Sequence, residues 1–158
     1  MLKKIIFTVL TVVWMGVIFC FSSMDSVQST EVSMSVGECV AEAFVPNYDD
    51  MDEEQQYQIA SKIDHPIRKT AHATEYAILG FLLTFAVSSY SDNGKMRLSA
   101  FPAGVFYSVT DELHQKLVSG RSCQFTDVCI DSGGVLFGVI CACVILHIID
   151  KNKNKKMA

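Results

Sequence analysis

Apolar residues in this chain are gathered into long runs instead of being spread at helix or strand spacing. The runs cover residues 5–21, 68–90, 98–117 and 128–149. A hydrocarbon core of about 30 Å takes roughly 20 predominantly apolar residues to cross as a helix. The pattern therefore predicts an all-α integral membrane protein with four transmembrane helices, in a single domain over residues 1–158. Only the first run is nearly free of polar residues. The other three carry polar groups at one end.

Between the first and second runs the period changes. Val32, Val36, Val40 and Phe44 recur four apart, with Ser29 or Thr30 as a cap and Pro46 just beyond, which predicts a short amphipathic helix over 29–44. A second such helix is expected from Asp50, which stands at capping-box spacing from Glu53, with Tyr57, Ala60, Ile63 and Ile67 on one face. Either the pair lies on the outer membrane surface, or it forms a lid or docking element. Asp64-His65-Pro66 reads as a cap followed by a first-turn proline, opening the second span. Residues 91–97, with Asn93-Gly94, form a turn, and Ser119-Gly120-Arg121-Ser122 the last loop. Lys3-Lys4 before an apolar stretch is a signal-like start. No Ala-x-Ala-like site follows, so the segment is read as a retained span.

Charge gives the runs a direction. Residues 22–64 hold ten acids against one base, Lys62. Bases collect instead at Lys3 and Lys4, at Lys95 and Arg97, and at Lys151, Lys153, Lys155 and Lys156. By the positive-inside rule these clusters are cytoplasmic, and four spans place all three on one side. The expectation is a multi-pass cell-membrane protein with both termini cytoplasmic and an extracytoplasmic acidic segment. The bilayer is its first partner, and the absence of a basic face excludes nucleic acid. The six cysteines show no metal-type pairing. Cys141 and Cys143 read as apolar span residues, and a Cys39–Cys123 disulfide stays open.

Against this background the polar residues inside the runs stand out, because an ionised side chain at mid-membrane costs about 2.5–3.5 kcal/mol on insertion scales. Asp111-Glu112-Leu113-His114-Gln115 ends the third run. Lys69, His72 and Glu75, three apart, share a face at the start of the second. On antiparallel helices His72-x-x-Glu75 and Asp111-x-x-His114 are mirror images, so imidazoles can meet near the surface and carboxylates one turn below. Asp127 and Asp131 enter from the last run, and Arg68, Lys116 and Arg121 add positive charge at the same level. Two readings follow: a charge network that holds the bundle together, or a polar pocket for a phosphate, sugar or peptide headgroup. Ligand binding is assigned to Arg68, Lys69, His72, Glu75, Tyr76, Asp111, Glu112, His114, Gln115, Arg121, Asp127 and Asp131. Candidates for acid–base catalysis are His72, Glu75, Asp111, Glu112 and His114. His72, Glu75, Asp111 and His114 are also acceptable metal ligands by type, but i,i+3 pairs are common in helices and no metal or cofactor is assigned. No serine or cysteine sits in a nucleophile setting, and the question of an enzyme stays open.

Taken in order, these motifs resemble the VanZ-like family of small membrane proteins. The carriers are Phe21-Ser22-Ser23, Arg68-Lys69-x-x-His72-x-x-Glu75-Tyr76 with Leu79-Gly80, Tyr107-Ser108-x-x-Asp111-Glu112-x-His114-Gln115, Gly120-Arg121-Ser122, Asp127-Val128, and Gly134 with Gly138. Ser119 and Asp131 depart from residues common there. The resemblance implies a multi-span membrane protein and, for the founding type, low-level resistance to the glycopeptide antibiotic teicoplanin, without a settled mechanism. It brings in two partners by implication, a lipid-linked envelope precursor or the antibiotic itself, with a headgroup bound or shielded at the outer leaflet. The competing expectation is a membrane-embedded enzyme that modifies or hydrolyses such a headgroup.

Overall fold

The first apolar run folds as α1 (Leu2–Ser22), and a three-residue step leads to α2 (Ser26–Phe44). A short 3₁₀ turn (Tyr48–Asp50) precedes α3 (Glu53–Tyr90), followed by the single turn α4 (Gly94–Arg97), α5 (Ala100–Gln115) and α6 (Phe125–Met157). This computed structural model describes residues 1–91 and 93–157, with side chains through residue 155, and no strand occurs among the described residues. Asp92 of the expected turn and the Lys156 side chain of the last basic cluster lie outside them.

Three of the helices, α1, α3 and α6, are long and apolar enough to cross a membrane. The third expected span is shorter than its run. α5 has 16 residues, or about 24 Å at 1.5 Å per residue, and 116–118 turn away from it.

Two expectations for the acidic segment change. α2 starts three residues before Ser29, because the Asp25 carboxylate accepts from the Gln28 amide at 2.9 Å and caps the helix earlier. Its apolar stripe also faces outward. Val32, Val36, Val40 and Phe44 are exposed, whereas Ser33, Gly37 and Ala41 are buried. Small side chains let the α2 backbone approach α3 closely, so they occupy the contact in place of valines. The second change is that no separate helix precedes the second span. Asp52, not Asp50, caps α3 by accepting from the Gln55 amide at 2.8 Å, and the helix then runs 38 residues through Pro66. Asp64 does not cap. It accepts from the Ser33 hydroxyl of α2 and from Arg68 Nη2 one turn on, at 2.5 Å for Arg68, and so holds the turn around the proline against α2.

α3 and α6 form the most extensive helix pair. A Cβ at Gly134 would fall on the Ala73 carbonyl and one at Gly138 on that of Ala77, so only glycine permits this approach. Ile18, Tyr76, Leu79, Ala100, Val135 and Val139 make the core between α1, α3, α5 and α6. Trp14 Nε1 donates to the Glu75 carbonyl at 2.9 Å, and Tyr107 hydroxyl to that of Met15 at 2.7 Å, pinning α1 to both neighbours. At one end of the bundle Lys4 lies over the Tyr90 ring, 5.1 Å from its centre, and Arg97 pairs with Asp150 at 2.8 Å. The basic clusters thus gather at that end, and the polar residues of the second, third and fourth runs gather at the other.

Candidate functional site

At this second end the C-terminus of α1, the middle of α3, the end of α5 and the start of α6 converge. Their polar side chains form two layers. The outer layer lines a cavity of about 140 Å³. Arg68, Lys69, His72, Gln115, Arg121 and Asp127 all reach it, joined by His65 and Ser122. Lys69 is ion-paired with Asp127, and Arg68 with Asp64.

Arg121 is held differently. Its guanidinium donates to the Gln115 amide oxygen at 3.0 Å and to the carbonyls of Met24 at 3.1 Å and Phe21 at 3.4 Å, all of them neutral acceptors. No carboxylate among the described residues lies within ion-pair distance of it. Burial, with the neighbouring Arg68 charge in the same direction, pulls its pKa below the ordinary arginine value, against Asp111, Glu112 and Glu75. The loop that presents Arg121 is fixed by its neighbours. Gly120 has φ +72°, a Cβ there would strike the Ser26 side chain, and the Ser26 amide donates to Ser119 O at 3.3 Å.

The inner layer is carboxylate-rich and buried. Asp111 Oδ2 accepts from Ser22 Oγ at 2.7 Å and from Gln115 Nε2 at 3.1 Å. Glu112 Oε2 accepts from the Gln124 amide at 3.2 Å, which sets a negative group at the start of α6, where the helix dipole favours it. Asp131 is fully buried. The groups acting on it electrostatically are Glu112, Asp111, Glu75 and Lys69, and both of its oxygens lack a hydrogen-bond partner. Asp111 Oδ1 and Glu112 Oε1 are likewise unpartnered. Buried polar atoms are nearly always bonded, so this layer has acceptor capacity that the described chain does not fill. The buried Tyr76 side chain has Asp111 and Asp131 as charged neighbours.

The structure thus gathers eleven of the twelve predicted ligand-binding residues into the two layers. Glu75 sits at their edge, its Oε2 4.0 Å from His72 Nδ1. His114 is the exception. Its Nε2 is 3.1 Å from Ser23 Oγ and its ring stacks on Phe19, with centroids 4.5 Å apart, so it turns to α1 instead of meeting His72. No three His, Cys, Asp or Glu side chains among the described residues are placed to hold a metal ion. All six cysteines are free, Cys39 and Cys123 included.

The family model described as VanZ/LLP1 matches residues 7–147. The chain belongs to the VanZ/LLP1 family. No curated protein and no solved structure matches it. The VanZ/LLP1 match includes both layers, the α2 hairpin against α3 and most of α6, and stops before the basic end of that helix.

Sequence reasoning missed several members of this VanZ/LLP1 site. Ser22 entered only through the Phe21-Ser22-Ser23 motif, yet it is 1 % exposed and supplies the hydroxyl donor to Asp111. Its position directly after a nearly apolar run was the available signal. Asp64 was assigned to a cap and holds Arg68 instead. The Gln124 amide had no signal at all, since backbone donors are invisible in sequence.

Proposed function

We propose that this VanZ/LLP1 protein binds and shields an anionic, lipid-linked headgroup at the outer leaflet of the cell membrane. In this reading α1, α3, α5 and α6 all cross the bilayer, α5 as a short span, with both termini cytoplasmic. The basic end then faces inward, in keeping with the positive-inside rule. The observation that carries the reading is the outer cavity, where Arg121 presents a positive charge without a carboxylate partner beside Arg68 and Lys69. A phosphate or carboxylate group matches guanidinium donors in charge and geometry. Such a headgroup belongs to the lipid-linked envelope precursors exposed outside the membrane, where glycopeptides such as teicoplanin meet their targets. Shielding there would supply the resistance implied for the founding type.

Native mass spectrometry of the protein extracted from membranes in mild detergent tests this. A retained phospholipid or lipid-phosphate adduct that is lost in Arg121→Gln is the expected result. An adduct equally retained by that variant, or none in either, overturns the reading.

The unpartnered Asp131 beneath the cavity, with His72 and Glu75 at its edge, favours one alternative, acid–base chemistry on the bound headgroup. Incubation with envelope lipids followed by mass spectrometry separates the two. A binder returns the headgroup unchanged.

A further inference from the structure

Arg68, His72 and Arg121 each face two cavities. One is the outer polar cavity. The other, of about 250 Å³, lies behind them and is walled mainly by Phe21, Val32, Val36, Ile67 and Ala71. Through Val36, Ile67, Ala71 and Glu75 this second cavity continues into a groove of about 660 Å³ that is open along its side. The groove follows α3 from Ile63 to Ile78, with Trp14 of α1 and Val40 of α2 on its edges.

Its neutral polar groups are already satisfied, and its one ionisable side chain, Glu75, stands at the junction with the second cavity, 4.0 Å from His72 Nδ1. Thr70 and Thr74 each donate their hydroxyl to a backbone carbonyl of α3 at 2.8 Å, and Trp14 Nε1 donates to the Glu75 carbonyl. Beyond that junction, what remains on offer is hydrocarbon. The outward stripe of α2 borders this space, with Val32, Val36 and Val40 left 39–49 % exposed. The chain's own helices leave this apolar stripe uncovered. Positive charge lies only at the foot of the groove, where it meets the polar cavity. An amphiphile with an anionic head and a long apolar tail is complementary to both parts at once. A neutral or cationic amphiphile matches only one of them.

We infer that the groove between α1, α2 and α3 holds the hydrocarbon tail of a phosphate-bearing membrane lipid whose headgroup occupies the polar cavity beside Arg68 and Arg121. This rests on the headgroup reading and adds the class of ligand. The lipid enters from the side, tail along α3, and the three shared side chains mark the boundary between its head and its tail.

Trp14, the sole tryptophan, lies in the groove and reports on it. The full-length protein is placed in phosphatidylcholine nanodiscs and titrated with hexadecyl phosphate brominated along its chain. Butyl phosphate and hexadecyltrimethylammonium serve as comparison probes. Saturable quenching of Trp14 by the brominated phosphate is expected, reversed by unbrominated hexadecyl phosphate and at least tenfold weaker with the cationic amphiphile. Ala71→Phe, which fills the exposed groove wall, is expected to weaken hexadecyl phosphate at least tenfold and butyl phosphate less than twofold. Equal affinity for the two phosphates, or equal loss of both in Ala71→Phe, overturns the groove while leaving the headgroup reading intact. Equal quenching by the cationic amphiphile overturns it too. If neither phosphate binds, both readings fall together.

Discussion

Ser22, the last residue of α1, donates its hydroxyl to Asp111 Oδ2 of α5 at 2.7 Å, with both side chains buried. This bond fixes where the first helix ends relative to the carboxylate layer. Gln115 extends it, donating to the same oxygen and accepting from Arg121. The chain Ser22–Asp111–Gln115–Arg121 thus connects the buried layer to the cationic rim.

Removing the first link leaves a buried carboxylate short of a donor. Ser22→Ala is expected to destabilise the detergent-solubilised protein by about 1–3 kcal/mol, the usual cost of an unsatisfied buried polar group. Ser23→Ala, one residue on and exposed, serves as the control, with an expected effect of less than about 0.5 kcal/mol. Thermal unfolding of the two variants side by side is the check, and equal stabilities would remove Ser22 from the network.

The α3–α6 contact makes a sharper contrast. Gly138→Ala places a methyl on the Ala77 carbonyl, with the Phe81 amide nitrogen 2.8 Å away, so backbone must move. The expected loss is about 1–3 kcal/mol or more, as for overpacked cores. Gly133→Ala meets nothing within 4 Å and removes a flexible residue from a helix. It is expected to be neutral, or stabilising by up to about 1 kcal/mol. Melting temperatures that order the variants the other way would refute the close packing.

Topology is open to direct labelling. Cys39 on α2 and Cys123 in the loop before α6 are exposed free thiols at the site end of the bundle. A membrane-impermeant maleimide added to intact cells is expected to label single-cysteine versions bearing either one. A cysteine introduced at Lys151, at the basic end, is expected to react only after lysis. Labelling of Lys151→Cys in intact cells would invert the proposed orientation.

How much of this was legible in the sequence varied with the kind of signal. α1 and α6 followed from long apolar runs, whereas the close fit of Gly134 and Gly138 on the carbonyls of Ala73 and Ala77 emerged only in the fold. Eleven predicted site residues came together, and i,i+3 spacing accounts for the shared face of Lys69, His72 and Glu75, while Arg121 arrives on a loop and Asp127 and Asp131 on α6. His114 escaped the pattern, since its spacing from Asp111 said nothing about the competing pull of Ser23 and Phe19 on α1. The continuity of α3 through Pro66 was hidden too. Asp64-His65-Pro66 has the local chemistry of a helix start, and what overrides it is tertiary, the hold of Ser33 and Arg68 on Asp64. The outward valines of α2 show the same limit. Periodicity marked the apolar face, but the small residues Ser33, Gly37 and Ala41 decided which face would pack.

The central claim is that the cationic rim takes an anion. Titration calorimetry of butyl phosphate into the purified protein, against the Arg121→Gln variant, tests it without involving any tail. Saturable binding at one site, weakened at least tenfold in Arg121→Gln and diminished by added salt, is the predicted result. Absence of saturable binding, or equal affinity in the two proteins, would contradict it.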